Sequence, residues 1–230
     1  MEVHLSTTGR RLATLALSLT LLAGTASVVV AKPPAQNAVT IHAAAITYGS
    51  AASISGQVTG PNSAGVQVTL EDNPYPYTAG FKPTQLKATT DATGRYTLAP
   101  TPTVSTHYRV TAKTKPQSTS PEAAVPVRVK VELRLGDATP SAGQRVRFSG
   151  SATPAHDGKV VRIQRRRHGG GWKTVAKTTL VPGTPVGTVS TSMFSKRVRV
   201  KRTGTYRARL NPGDGDHATG TSARRRARVG

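Results

Sequence analysis

Along the second half of the chain, apolar and polar residues alternate with a period of two. Val127-Arg128-Val129-Lys130-Val131, Arg145-Val146-Arg147-Phe148, Val161-Arg162-Ile163-Gln164, Arg197-Val198-Arg199-Val200 and Tyr206-Arg207-Ala208-Arg209-Leu210 all follow it. That is the pattern of antiparallel strands with one face buried. Turn chemistry falls between such runs at Gly60-Pro61-Asn62, Asp91 to Gly94, Asp157-Gly158, Gly169-Gly170-Gly171 and Asn211 to Asp216. Past Ala31 no stretch carries a helical period. Alternation then sets the faces: Ile54, Val58, Tyr108 and Val110 should point inward, as should Val146, Phe148, Val161, Ile163, Tyr206 and Ala208.

The pattern occurs twice, at an offset of about 94 residues. Gly49 to Gly56, ending Ile54-Ser55-Gly56, lines up with Gly143 to Gly150, ending Phe148-Ser149-Gly150. Val66-Gln67-Val68 matches Val161-Arg162-Ile163, and Phe81-Lys82 matches Trp172-Lys173. Thr106-His107-Tyr108-Arg109-Val110 parallels Gly204-Thr205-Tyr206-Arg207-Ala208. Order is kept while spacing drifts by a few residues, as loop-length variation produces. The chain reads as a tandem duplication, each copy carrying about seven short strands and no crossover helix. That arrangement predicts β-sandwiches.

On these residues the chain resembles tandem immunoglobulin-like and fibronectin-like modules of secreted and surface proteins in Gram-positive bacteria. Ile54-Ser55-Gly56 and Phe148-Ser149-Gly150 resemble the second strand of such modules, and Trp172-Lys173 the strand after the C strand. Tyr108 and Tyr206 resemble the tyrosine near the start of strand F. Thr90 to Tyr96 resembles the hairpin of carboxypeptidase regulatory-like domains. Val110 and Ala208 stand where the second intersheet cysteine would be. The resemblance implies an all-β fold of two tandem immunoglobulin-like antiparallel β-sandwiches, and it carries architecture more than function. The expected divisions are a signal peptide over 1–31, a polar leader over 32–38, a first sandwich over 39–128 and a strongly basic second sandwich over 129–230. The junction VPVRVKVELRL has no Gly/Ser linker, so a stiff end-to-end pair is expected.

The signal peptide is read from Arg10-Arg11, the uncharged run from Leu12 to Ala31, and the small residues before Lys32. An uncleaved anchor is the competing reading, although Thr14, Ser18, Thr20, Thr25 and Ser27 dilute the run. After cleavage no stable membrane span is expected, and the mature chain would be secreted or held at the cell surface. The sequence has no cysteine, so each sandwich must stand on its apolar core.

Charge divides the halves sharply. The 230 residues carry 32 Lys plus Arg and 10 Asp plus Glu, for a net charge of +22. Residues 38–127 hold six basic and four acidic side chains, whereas residues 128–230 hold 23 and five. Such scarcity of acids leaves few carboxylates for catalysis or metal binding. The basic half admits two readings: a solvated strand face, or a surface that binds anionic wall polymers or acidic glycans. In the second reading Arg165, Arg166, Arg167, Lys201, Arg202, Arg207, Arg209, Arg224, Arg226 and Arg228 form a cationic face and tip with no acid nearby. Nucleic acid is disfavoured, because Trp172, Tyr206 and Phe148 are expected in the core and leave no stacking platform.

Other chemistry is thinner. Asp214-Gly215-Asp216-His217 and His156-Asp157 should lie at one end of the second sandwich. They read either as turns with solvent-exposed histidines or as a cation site of three carboxylates and two imidazoles. Asn73-Pro74-Tyr75-Pro76-Tyr77 reads either as a sugar-stacking loop or as a wide hairpin whose rings fold back over the sheet. No Gly-x-Ser-x-Gly elbow, His-Glu-x-x-His helix or phosphate loop is present. No catalytic, cofactor-binding or metal-binding set is therefore assigned, and no protein partner. The reading is an exported, non-enzymatic protein with an adhesive, wall-associated or spacer role. Its alternative is an accessory secreted protein (inhibitory, carbohydrate-binding or catalytic) acting on another target.

Overall fold

The computed structural model describes residues 36–185 and 187–230, and the expected signal peptide lies outside them. The described chain is all strand and turn. The first half contributes β1 (Ala38–Val39), β2 (Ile46–Thr47), β3 (Ile54–Thr59), β4 (Gln67–Pro74), β5 (Lys82–Thr89), β6 (Arg95–Leu98), β7 (Thr106–Ala112), β8 (Ser118–Thr119), β9 (Ala123–Val125) and β10 (Val127–Arg128). The second contributes β11 (Lys130–Val131), β12 (Arg134–Leu135), β13 (Arg145–Thr153), β14 (Val160–Arg167), β15 (Gly170–Thr179), β16 (Val181–Pro182), β17 (Ser192–Arg199), β18 (Gly204–Leu210), β19 (Gly220–Thr221) and β20 (Arg225–Ala227).

Strand order repeats between the halves. In the first, a sheet β1-β3-β6 accompanies a sheet β5-β4-β7, with β8 and β9 both paired to the far side of β7. In the second, β11 and β12 pair with β13, followed by β17 and β16, alongside a sheet β15-β14-β18 edged by β19 and β20. These ladders are antiparallel. The exception is β10, which runs parallel to β2 and pairs Val127 with Ile46.

Each half has its own apolar cluster, drawn from both of its sheets. Val39, Ile54, Val58, Val68, Leu70, Tyr96, Tyr108 and Val110 belong to the first; Val146, Phe148, Val161, Ile163, Phe194, Tyr206 and Ala208 belong to the second. All ten positions expected to face inward are buried, none more than 4% exposed. Phe148 and Tyr206 meet edge to face at 5.0 Å between ring centroids, a favourable aromatic geometry.

The repeated Ser-Gly at positions 55–56 and 149–150 has a steric cause. A methyl group on Gly56 would overlap the Thr40 carbonyl oxygen and approach the Tyr96 ring carbon at 2.6 Å. One on Gly150 would overlap the Glu132 carbonyl oxygen and come within 2.8 Å of the Phe194 ring. In each half the leading segment crosses the second strand so closely that only glycine fits. Tyr96 further ties this crossing by donating its hydroxyl to the Thr40 carbonyl.

Between the halves the chain has no slack. Arg128 ends the pairing with β2 and Lys130 begins the pairing with β13, so Val129 alone lies between, 1% exposed. Its N–H donates to the Ala218 carbonyl at 3.1 Å, and the Ala218 N–H donates to the Val127 carbonyl at 2.8 Å. The loop after β18 is thereby stitched to the connecting strand. Among the described residues no helix is long and apolar enough to cross a membrane.

Candidate functional site

At the far end of the second half, β14 and β15 close a hairpin through His168 and Gly169, and β17 turns into β18 through Lys201 and Arg202. The pairing of Arg165 with Tyr206 and of Gly204 with Ala227 brings these turns together with the end of β20. Two clefts result. One, of 340 Å³, is lined by Arg165, Lys173, Val175, Val198, Arg199, Lys201, Arg202 and Tyr206. The other, of 440 Å³, is lined by Arg165, Arg166, Arg167, His168, Arg202, Thr203 and Thr205. Neither lining includes an acid. Burial pushes the Tyr206 hydroxyl up, while the Arg165 and Arg202 charges pull it down.

The remaining basic residues lie on the adjoining sheet face. Arg224, Arg226 and Arg228 are exposed, and Arg207 and Arg209 are half-buried on the outward side of β18. Arg225 points to the other side, where its Nε donates to the Leu133 carbonyl. The expectation of no neighbouring acid needs one correction. The Arg228 N–H donates to the Ala138 carbonyl, which brings Asp137 to this end, with its carboxylate bonded to the Thr139 N–H and the Gln144 amide.

Trp172 also departs from expectation. It is half-buried, outside the core cluster, with the Arg207 guanidinium 4.1 Å above its ring and that of Arg224 at 5.9 Å. Phe194, by contrast, is core, at 3% exposure. The pair Arg207–Trp172 has a counterpart in Arg109 over Phe81 at 4.5 Å, so the duplication extends to this cation–π contact. Its electrostatics differ between the halves. Arg109 Nε donates to a Glu71 carboxylate at 2.6 Å, whereas Arg207 Nε donates to the neutral Gln164 amide oxygen at 2.9 Å. Glu71 and Gln164 are equivalent, each directly opposite its arginine. Burial, followed by the Arg209 and Arg224 charges, holds the Arg207 guanidinium below its ordinary value.

At the opposite end, beside the first half, two loops of the second half meet. The loop before β14 supplies His156, and the loop after β18 supplies Asp214, Asp216 and His217. Both histidines are buried at 8% exposure, which overturns their reading as solvent-exposed turn residues. Nor do three carboxylates gather, because Asp157 instead accepts the Ser192 hydroxyl at 2.5 Å, and that hydroxyl oxygen accepts the His156 N–H. His156 Nε2 lies 3.2 Å from Asp214 Oδ2, and His217 Nδ1 lies 3.0 Å from Asp216 Oδ1. The imidazoles meet edge to face at 5.2 Å. Asp216 lies below the ordinary carboxylate range: burial opposes its ionisation, but its polar neighbours Asp214, His217 and His156 outweigh it.

First-half residues hold this loop. Thr103 accepts His217 Nε2–H at 2.9 Å, the Ser105 N–H donates to the Asp216 carbonyl at 2.7 Å, and the Tyr75 hydroxyl donates to the Asp214 carbonyl at 2.9 Å. Tyr75 also lies against Gly215, where a methyl group would come within 2.7 Å of the ring and φ is +89°. The Tyr75–Tyr77 loop thus folds back: Tyr77 stacks on His107 at 4.0 Å, and Tyr75 is committed to the second half. The sequence offered no signal for the contacts of Thr103, Ser105 and Tyr75 with the second half, which join residues more than 100 positions apart.

No known protein family matches the chain, and no curated protein matches it. Among solved structures, a crystal structure of a tetra-tandem repeat in the extending region of a large adhesion protein aligns with 85% of this chain at 16% identity and a TM-score of 0.30. The chain spans half the length of that structure.

Proposed function

We propose that this is an exported, non-enzymatic protein of two tandem immunoglobulin-like sandwiches, residues 39–128 and 129–230, that acts at the cell surface by binding anionic polymers through its second half. The matching strand order of the halves supports the resemblance to immunoglobulin-like and fibronectin-like modules. The observation that carries the ligand class is the arginine-rich tip, where Arg165, Arg166, Arg167, Lys201 and Arg202 surround two clefts without a lining acid. Guanidinium forks pair bidentately with phosphate, sulfate and carboxylate. A repeating anion on a wall polymer or acidic glycan would meet several of them at once.

The protein should bind polyphosphate and a sulfated glycan at low salt. Affinity should fall steeply as ionic strength rises, because exposed charges are screened within about 8 Å at physiological salt. Replacing Arg165, Arg166, Arg167 and Arg202 together by Gln should abolish most of that binding while the thermal melt stays unchanged. Indifference of the unmodified protein to both polymers at low salt refutes the reading. Export is tested separately: the N-terminus of the secreted form should be at or near Lys32.

A further inference from the structure

We propose that His156, Asp214, Asp216 and His217 form a binding site for one divalent transition-metal ion of the zinc type. One ligand atom from each lies within 4.8 Å of all the others. The ring protons have fixed places. His217 Nε2 faces the Thr103 carbonyl oxygen at 2.9 Å, and His156 Nδ1 faces the Pro154 carbonyl oxygen at 2.9 Å. A carbonyl only accepts, so those nitrogens carry the hydrogens. In the neutral rings the lone pairs then sit on His217 Nδ1 and His156 Nε2, each directed at a carboxylate oxygen.

Lone pair against lone pair is repulsive, and burial makes it costly. The His217 side chain is only 5% exposed. Its Nδ1 and the Asp216 Oδ1 opposite are both buried and, among the described residues, without a hydrogen-bond partner, because their 3.0 Å approach lacks hydrogen-bond alignment. A cation between them resolves the conflict. An ion held tetrahedrally at about 2.0–2.1 Å keeps its ligand atoms about 3.3 Å apart, close to the 3.0 and 3.2 Å of the two histidine–aspartate pairs. Backbone carbonyls that fix the outer ring N–H are the usual second layer around metal-bound histidine.

The donor set selects the ion class. Two imidazoles and two carboxylates suit zinc and its transition-metal neighbours, whereas calcium and magnesium want oxygen cages. Four protein ligands close the coordination sphere, which is a structural arrangement. The ion would join the loop before β14 to the loop after β18, and so brace the segment that Thr103, Ser105 and Tyr75 hold against the first half. This inference is independent of polyanion binding and survives its failure.

The test uses tag-free protein stripped with chelator and dialysed against Zn²⁺. One equivalent per chain should be retained, and Co²⁺ should give the intense visible bands of a tetrahedral site. At a hundredfold excess over Kd the melting temperature should rise by about 5 to 10 °C, and Ca²⁺ should not reproduce it. Asp216→Asn and His156→Gln should weaken binding by about 100-fold or more, while His168→Gln leaves it unchanged. Absence of a tight equivalent, an equal response to Ca²⁺, or unchanged binding by Asp216→Asn would overturn the site and leave an imidazolium–carboxylate network. Should both variants fail to fold, the Co²⁺ spectrum and the melting shift of the unmodified protein decide alone.

Discussion

Substituting Gly150 by Ala adds one methyl group, and the structure says where it must go. It would overlap the Glu132 carbonyl oxygen and press on the Phe194 ring at 2.8 Å. A ring edge can rotate aside, but the Glu132 carbonyl, in the link between β11 and β12, cannot move without the ladders on either side. The Glu132 N–H bonds to the Ser151 carbonyl at 2.9 Å, and β11 pairs Lys130 with Thr153 and Val131 with Ala152. Overpacking a tight site costs about 1 to 3 kcal/mol, and each loosened backbone bond adds about 1 kcal/mol. Reduced freedom of the unfolded chain returns about 0.4 to 1 kcal/mol. The net loss should be about 3 kcal/mol, lowering the melting temperature by about 6 to 12 °C. Gly169→Ala is the control, since a methyl group there meets nothing within 4 Å and should change stability by no more than about 0.5 kcal/mol. Gly56→Ala should behave like Gly150→Ala, because Thr40 and Tyr96 crowd it in the same way. Thermal and urea melts of the three variants decide the matter. If Gly150→Ala melts with Gly169→Ala, the close strand crossing is not what the repeated Ser-Gly serves.

Phe148→Ala should cost about 3 to 5 kcal/mol, against no more than about 0.5 kcal/mol for its exposed neighbour Arg147→Ala; equal costs in urea melts would mean a wrong register. Burial pushes the Tyr96 and Tyr108 hydroxyls up to about 12, with the Asp72 charge adding to the shift at Tyr108. The unfolded chain ionises first, so their contribution is complete below about pH 10 and is lost as pH rises toward 12; alkaline melts with ultraviolet difference absorbance should show it. Gln164→Glu should recreate in the second half the ion pair of Glu71 and Arg109, and so weaken polyphosphate binding without lowering the melting temperature.

The period of two was enough to assign the strands and the inward face at Val146, Phe148, Val161, Ile163, Tyr206 and Ala208, since one register slip would expose the whole set. Trp172 escaped that logic for a local reason. The β14–β15 register passes from Ile163 opposite Ala176 to Gln164 opposite Thr174, skipping Val175. One bulged residue reverses the phase of the strand, so Trp172 falls opposite Arg166 on the outer face and not in the core. Nothing about Val175 as a residue type announces the bulge. The histidines failed differently. His156 and His217 sit beside Asp-Gly turns, which predicts exposure, but Thr103, Ser105 and Tyr75 of the first half bond the loop that carries Asp214 and His217, and those two residues in turn meet His156. Burial imposed by a distant part of the chain has no local signature.

The two arginine–aromatic pairs show how a duplicated scaffold acquires a charge. Arg109 over Phe81 and Arg207 over Trp172 occupy the same place on the same strands, so packing alone cannot distinguish them. Electrostatics does. In the first half Glu71 bonds both Arg109 and the Thr111 hydroxyl, and the site is neutral. In the second, Gln164 keeps the hydrogen bond and drops the charge, leaving Arg207 beside Arg209 and Arg224 with no acid in contact. Three of the five acids in residues 128–230, Asp157, Asp214 and Asp216, lie instead in the loops at the end beside the first half, with Asp157 apart from the other two on Ser192. A strand pairing that sets Val161 opposite Leu210 and Arg165 opposite Tyr206 separates that end from the arginine tip by the length of β14, about 20 Å or more at strand rise. That distance is at least twice the screening length at physiological salt. The carboxylates at that end therefore do little to neutralise the tip, and Asp137, which the Arg228–Ala138 bond brings to the arginine end, is already bonded to the Thr139 N–H and the Gln144 amide.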